Sequence, residues 1–235
     1  MHCTKNILLV LFFLLLYQNT FAQQRFRGSF LMSFSFSTKE NMPPLLWNVD
    51  GDKIAIEIQD TMKRKGVTRR ILFNAADSTW LMCMEFNDVK QATRMRTKNM
   101  AGKEVSYNKK HLKNLQTKIT TGNYTAEKMV YATKQSTDTL AITQQLNFDL
   151  PNYYTLLCHC GLINISLRKG NWYNIKKNKG MIINVKSVDK KTNNSYTVSI
   201  SKIIPNEINP ALFSTKGFKI ADIPEGQSCG PMTKE

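Results

Sequence analysis

Five cysteines and three histidines are the residues of this chain whose types suggest chemistry. Cys158-His159-Cys160 gathers three ligand-type side chains in a row. A structural tetrahedral metal takes four ligands at defined spacing. No second Cys-x-x-Cys or His-x-x-x-His accompanies this cluster, and three neighbours at a helix end point around the axis instead of converging. A disulfide or a buried thiol is the plainer reading, and neither a metal nor another cofactor is expected. A cysteine nucleophile needs a histidine base and a group to orient it. Beyond the leader described below, only His111 and His159 remain, and His111 sits among lysines. Nothing has the form of Gly-x-Ser-x-Gly, a P-loop or a Rossmann turn. Asp50 and Asp52 bracket Gly51, which a hairpin turn explains without calcium or acid catalysis. The chain reads as non-catalytic, with dispersed carboxylates the remaining route to an enzyme.

Trp172-Tyr173 beside Lys176, Lys177 and Lys179 mixes rings with cations. That suits stacking on a base or sugar, an interfacial anchor, or one buried and one exposed ring.

The elements that must position these groups begin after a leader. Lys5 precedes the apolar run Ile7 to Leu16, and Thr20 and Ala22 stand at −3 and −1 of a cut after Ala22. This is the pattern of a secretory signal peptide over residues 1–22. The apolar run is about half of the roughly 20 residues that a spanning helix needs. No cysteine directly follows the cut, so lipid attachment there is not expected. Cleavage takes 22 of 235 residues and leaves 213, enough for a single β-rich domain over 23–235 with a substantial core. The expected location is the periplasm or cell envelope, without a lipid anchor.

The formal net charge is +16, and loss of Lys5 makes it +15. The basic residues concentrate between Lys90 and Lys118, where Glu104 is the one acid. Nucleic acid is one partner for such a stripe. An exported chain meets anionic membrane or polysaccharide first, so no nucleic-acid partner is expected; Lys109, Lys110 and Lys113 are the candidate contacts. A solvated face that keeps the chain soluble is the plainer alternative. Export favours oxidation of Cys83, Cys158, Cys160 and Cys229, which allow three full pairings.

Phe26, Gly28, Phe30, Met32, Phe34 and Phe36 fall on every second position, with Arg27, Ser29, Ser33 and Ser35 between them. A period of two puts the aromatics on one face of a strand. Burying each large apolar side chain is worth roughly 1.5–3 kcal/mol, so this face needs a core, a cavity or a lipid. Met42-Pro43-Pro44 ends that strand, because proline lacks the ladder donor. Leu45 to Val49 and Lys53 to Ile58 form a hairpin across Asp50-Gly51-Asp52. Arg70 to Asn74 and Thr79 to Phe86 form another, whose second arm alternates Trp80, Met82, Met84 and Phe86 with Leu81, Cys83 and Glu85. The shared period predicts one apolar surface made of Phe26, Phe30, Met32, Phe34, Ile54, Ile56, Trp80 and Met82. Residues 87–118 lack a clean period of two and read as a long basic excursion outside the sheet, partly helical or mobile. Strands resume at Gly122 to Thr133 and Asp138 to Gln145. Asp149-Leu150-Pro151 starts a short helix over about 150–160. Gly180 to Val188 and Ser195 to Ile204 make a last hairpin. Short strands at regular spacing predict an all-β sandwich or a barrel-like sheet.

Three passages resemble an exported bacterial family of unknown function, itself similar to the lipoprotein-localisation-factor (LolA/LolB-like) superfamily. They are Phe26-Arg27-Gly28 with Leu45 to Ile58, whose turn is Gly51-Asp52-Lys53; Thr121-Gly122-Asn123-Tyr124-Thr125-Ala126-Glu127-Lys128; and Val198 to Ile204 followed by Asn209 to Phe213 and Lys216-Gly217-Phe218. Ala126 stands where the family tends to have a cysteine, and the family's proline before the final Gly-aromatic segment is missing. The resemblance implies a mainly β fold, a strongly curved antiparallel sheet of half-barrel or barrel-like form, with one or two short helices on its concave side. In relatives that hollow holds acyl chains.

The expected function is that of an exported, non-catalytic envelope protein binding lipid or another apolar ligand in a concave sheet. The alternative is a structural or adhesive module that binds a partner protein or glycan through its basic face. A continuous apolar hollow favours the first; a filled core with a flat aromatic-basic patch favours the second.

Overall fold

The computed structural model describes residues 25–37, 42–58, 67–76, 79–96, 112–150, 153 and 180–223. They form one open sheet of twelve strands. In chain order these are β1 (Gly28–Phe36), β2 (Leu45–Asp50), β3 (Lys53–Ile58), β4 (Val67–Asn74), β5 (Thr79–Phe86) and β6 (Val89–Arg96). Then follow β7 (Leu112–Thr121), β8 (Tyr124–Ala132), β9 (Ser136–Thr143), β10 (Met181–Asp189), β11 (Ser195–Pro205) and β12 (Lys219–Asp222). Across the sheet the order is β12-β6-β5-β4-β3-β2-β1-β11-β10-β9-β8-β7. Every neighbouring pair is antiparallel except β12, which lies parallel to β6. The fold is therefore mainly β: a curved, largely antiparallel sheet that does not close into a barrel.

Open sheets wider than about ten strands curl instead of staying flat. Register shifts bend this one at Ser29/Leu31 of β1, Ile182/Asn184 of β10 and Asn114/Lys118 of β7, since a bulge kinks its strand and raises the local twist. The alternating pattern then sorts the side chains. One face carries the main core, from Met95 on β6 across to Tyr131 on β8. The other face carries a small core of Ala55, Leu72, Cys83 and Ala92 over β3–β6.

The C-terminal crossover covers that small core. Asn209 caps a 3₁₀ turn at Pro210–Phe213 by accepting from the Ala211 amide. Leu212, Phe213 and Phe218 pack on Ala55, Leu72, Cys83 and Ala92. Arg70 fastens the crossover, donating to the carbonyls of Ala211 at 3.1 Å and Ser214 at 2.6 Å and lying 5.1 Å from the Phe218 ring centre. Cys83 is a free, buried thiol beneath it, so four-way pairing of the cysteines does not occur. Burial pushes this thiol above its ordinary value, and Arg70 opposes the shift by charge and hydrogen bonding.

The basic stretch needs correcting. Residues 89–96 and 112–121 are strands β6 and β7, so those parts of 87–118 lie within the sheet, and 97–111 falls outside the described residues. In β6 Ala92 is buried on one face and Met95 on the other, which removes the usual in-out alternation. As an edge strand β7 has little buried face to advertise, and it is broken by the shift at Asn114/Lys118, with Gln116 at φ 56°. The predicted strand partnerships Leu45–Ile58, Arg70–Phe86 and Gly180–Ile204 hold as hairpins. Of the predicted helix, Leu150 and Tyr153 are helical and the rest lies outside the described residues. No helix among the described residues is long and apolar enough to cross a membrane.

Gly28 starts β1 at φ 145°, and a Cβ there would meet the Ile204 carbonyl oxygen at 2.4 Å. Gly28→Ala should therefore pry β1 from β11 and destabilise the chain by about 2 kcal/mol or more. Urea unfolding measures this; a loss below about 0.5 kcal/mol would show that the junction yields freely.

Candidate functional site

The register lays the inner-face residues in rows across the strands. Gly28, Val49, Ile54, Phe73, Trp80 and Met95 form the first row, over β1–β6. Phe30, Trp47, Ile56, Ile71 and Met82 form the second. Met32 then aligns with Ile200 on one side and with Leu45 and Ile58 on the other. Phe34 aligns with Val198, Val185 and Leu140. Of the eight residues expected on one apolar surface, Phe26, Phe30, Met32, Phe34, Ile54, Ile56 and Trp80 are buried in a single cluster, and Met82 packs half-buried against it. The sheet brings all eight together as a filled core and not an open hollow: Phe30, Met32, Ile54, Ile56 and Trp80 are each no more than 1% exposed.

The segment following β9 lies over this face. Leu146, Phe148 and Leu150 are buried in the same cluster, and Tyr153 packs on it. The Phe148 ring is 5.5 Å from Phe30, 6.1 Å from Trp47 and 6.2 Å from Phe26. It stacks on Tyr153 at 5.1 Å, and Tyr153 meets Phe73 at 5.6 Å, which in turn lies 4.4 Å from Trp80. A chain of five rings thus runs from Trp47 through Phe148, Tyr153 and Phe73 to Trp80. The Phe26 amide donates to the Asn147 carbonyl at 2.8 Å and ties the cover to the start of β1.

Two polar atoms on this face are out of keeping with it. The indole Nε1 atoms of Trp47 and Trp80 are buried with no hydrogen-bond acceptor among the described residues. Asn48 Nδ2, on the opposite face, is the third such donor among the described residues. An unmet buried donor costs about 1–3 kcal/mol. Both tryptophans are almost wholly enclosed, at 0% and 1% exposure, so bulk solvent does not reach them.

At the far end of the strands the face turns polar. Tyr131, Asp138, Ser187, Tyr196 and Phe36 align in one row. Asp138 is fully buried and accepts from Ser187 Oγ at 2.5 Å and Ser136 Oγ at 3.4 Å. Burial raises the Tyr131 phenol, and the Asp138 charge raises it further. Burial also raises Tyr153, aided by Asp149 and Asp52 and opposed by Arg25. The expected hairpin role of Asp50 and Asp52 holds, and each also pairs with an arginine, Arg27 and Arg25. Those pairs are exposed and contribute little to stability.

Several candidate groups fall outside the described residues: Cys158, His159, Cys160, Cys229, His111, Trp172, Tyr173, Lys109 and Lys110. Lys113 lies exposed on edge strand β7, within the sheet. Among the described residues, no three His, Cys, Asp or Glu side chains converge as metal ligands would. Sequence reasoning missed Trp47, Phe148, Tyr153 and Asp138. Trp47 shares the period of Leu45 and Val49 and was open to the same argument as its neighbours. Asp138 falls on the same alternate positions as Leu140 and Ile142, and an acid on an apolar face was the available signal.

No family model matches the chain, and no curated protein matches it significantly. Two solved structures of PNGF-II, in C2 and P21 crystal forms, are distantly similar. They are 15% and 13% identical, with TM-scores of 0.41 and 0.40, each over 83% of this chain. This chain spans only 30% and 32% of their lengths.

Tyr153 and Tyr131 are protonated in the fold above their ordinary value of 10.0. Unfolding releases those protons earlier, so the unfolded chain binds fewer protons at alkaline pH and stability falls as pH rises. The contribution is whole below about pH 10 and is lost on the way up to the folded values. Urea titrations from neutral to alkaline pH should show this decline, with a shallower slope for Tyr153→Phe. An unchanged slope in that variant would contradict the burial of the Tyr153 phenol.

Proposed function

We propose that this chain is an exported, non-catalytic envelope protein that binds lipid or another apolar ligand on the concave face of its sheet, beneath the segment from Leu146 to Tyr153. The observation that carries the reading is the pair of buried indole donors, Trp47 Nε1 and Trp80 Nε1, left without acceptors on an otherwise apolar surface. A ligand with an apolar body and acceptor oxygens would supply both what the rows of Phe, Ile and Met offer and what the two indoles lack. Met32, Met82 and Met95 add adaptable surface for a ligand of variable shape. A ligand on this face would displace Leu146, Phe148 and Tyr153, which burial, ring contacts and the Phe26–Asn147 hydrogen bond hold to the sheet.

A second reading has its own support. Lys113 and Lys118 are exposed on the open edge strand β7. A basic sheet edge suits a structural or adhesive module that binds a partner protein, a glycan or an anionic membrane surface.

Protein purified from its own envelope should carry lipid-like molecules, recovered by organic extraction and identified by mass spectrometry. Roughly equimolar recovery is expected from the wild type. The paired variant Trp47→Phe/Trp80→Phe keeps the rings but removes both donors and should retain several-fold less. Extracts indistinguishable from those of an unrelated envelope protein would overturn the proposal.

A further inference from the structure

We propose that the outer face carries a separate binding site for a small anion with an apolar body, an aromatic carboxylate in chemical class. A cleft of about 400 Å³ opens between the outer face of β3–β6 and the C-terminal crossover. That volume lies within the roughly 300–1,000 Å³ range of small-molecule sites. Leu72 and Leu81 form its apolar floor, and Phe213 of the 3₁₀ turn forms a wall. Lys53, Arg94 and Arg96 bring three cations to its lining, and no carboxylate lines it among the described residues.

The register explains why cations and apolar groups meet here. Lys53, Asn74, Thr79 and Arg96 are successive cross-strand partners in one row, and Leu72, Leu81 and Arg94 are partners in the next. Lys53 and Arg96 thus stand three strand spacings apart, about 14 Å around the sheet. The polar row faces an anionic head, and the apolar row faces the body attached to it. Arg94 also contacts Asp222 at 3.4 Å, but that carboxylate is itself two-thirds exposed and leaves the guanidinium able to share a second anion. A flat guanidinium fork favours the planar carboxylate, and the leucine floor favours an amphipathic anion over an inorganic one. This site lies on the face opposite the concave one and does not rest on the function proposed above.

Calorimetric titration of the full chain with 2-naphthoate, neutral 2-naphthylmethanol and inorganic phosphate tests it. One saturable 2-naphthoate site is expected, with the alcohol and phosphate each at least about tenfold weaker. Lys53→Gln/Arg96→Gln should weaken 2-naphthoate by about tenfold or more, with circular dichroism confirming the fold. If the double variant fails to fold, single Lys53→Gln, an exposed change at the start of β3, gives the same readout in smaller measure. Binding of 2-naphthoate that is absent, matched by the alcohol or unchanged in the folded variants would overturn the site.

Discussion

The two-sided pairing of β1 is the constraint on which the rest of the structure depends. β1 bonds to β2 on one edge and to β11 on the other, and it alone joins β2–β6 to β7–β11 in the sheet. The first of those contacts is local and the second spans most of the chain, as in Ser29 opposite Ile204. Contacts so distant in sequence incur loop-closure entropy before they return any burial energy. The strand that makes them carries Phe30, Leu31, Met32, Phe34 and Phe36, and its Phe30 and Met32 side chains are fully enclosed. Gly28 permits the close approach at the junction with Ile204 and Pro205. Without β1 the strands β2 and β11 would each be left as an open edge.

With β1 in place, the two faces diverge in character. The inner face is a run of apolar rows beneath a short aromatic cover, with two enclosed indole donors and a buried Asp138 cluster at the opposite end. The outer face is thinly covered over β3–β6 by a crossover that Arg70 anchors, beside a cleft ringed by cations. One sheet therefore offers an apolar and a basic environment back to back. The parallel pairing of β12 with β6 holds the crossover across the outer face and ends the sheet on that side.

Much of the sheet was legible because period two survives wherever one face is buried and the other is not. Phe26 to Phe36, Lys53 to Ile58 and Thr79 to Phe86 announce themselves in this way, and Asp50-Gly51-Asp52 marks its turn. β6 was hidden because Ala92 and Met95 are buried on opposite faces of it. β7 was hidden because an exposed edge strand with a bulge needs no apolar pattern. β12 carries only Lys219–Asp222, all exposed, and its parallel partner lies more than a hundred residues away, so nothing local specifies it. The apolar surface was read residue by residue, whereas its cover was not. Phe148 and Tyr153 sit in a connection between strands, where no periodicity reports which face they will meet.

On the proposed reading, the concave face serves a ligand whose oxygens accept from Trp47 and Trp80. The deciding measurement follows the indole ¹⁵N–¹H signals of Trp47 and Trp80, told apart from that of Trp172 by a Trp172→Phe variant, in full-length protein isolated with its native complement and again after solvent extraction. Both resonances should shift upfield in the proton dimension, as expected for a donor that loses its acceptor, and the signals should return on adding back the extract. Two indole signals that keep their positions through extraction and add-back would show that the face is a closed core and contradict the account.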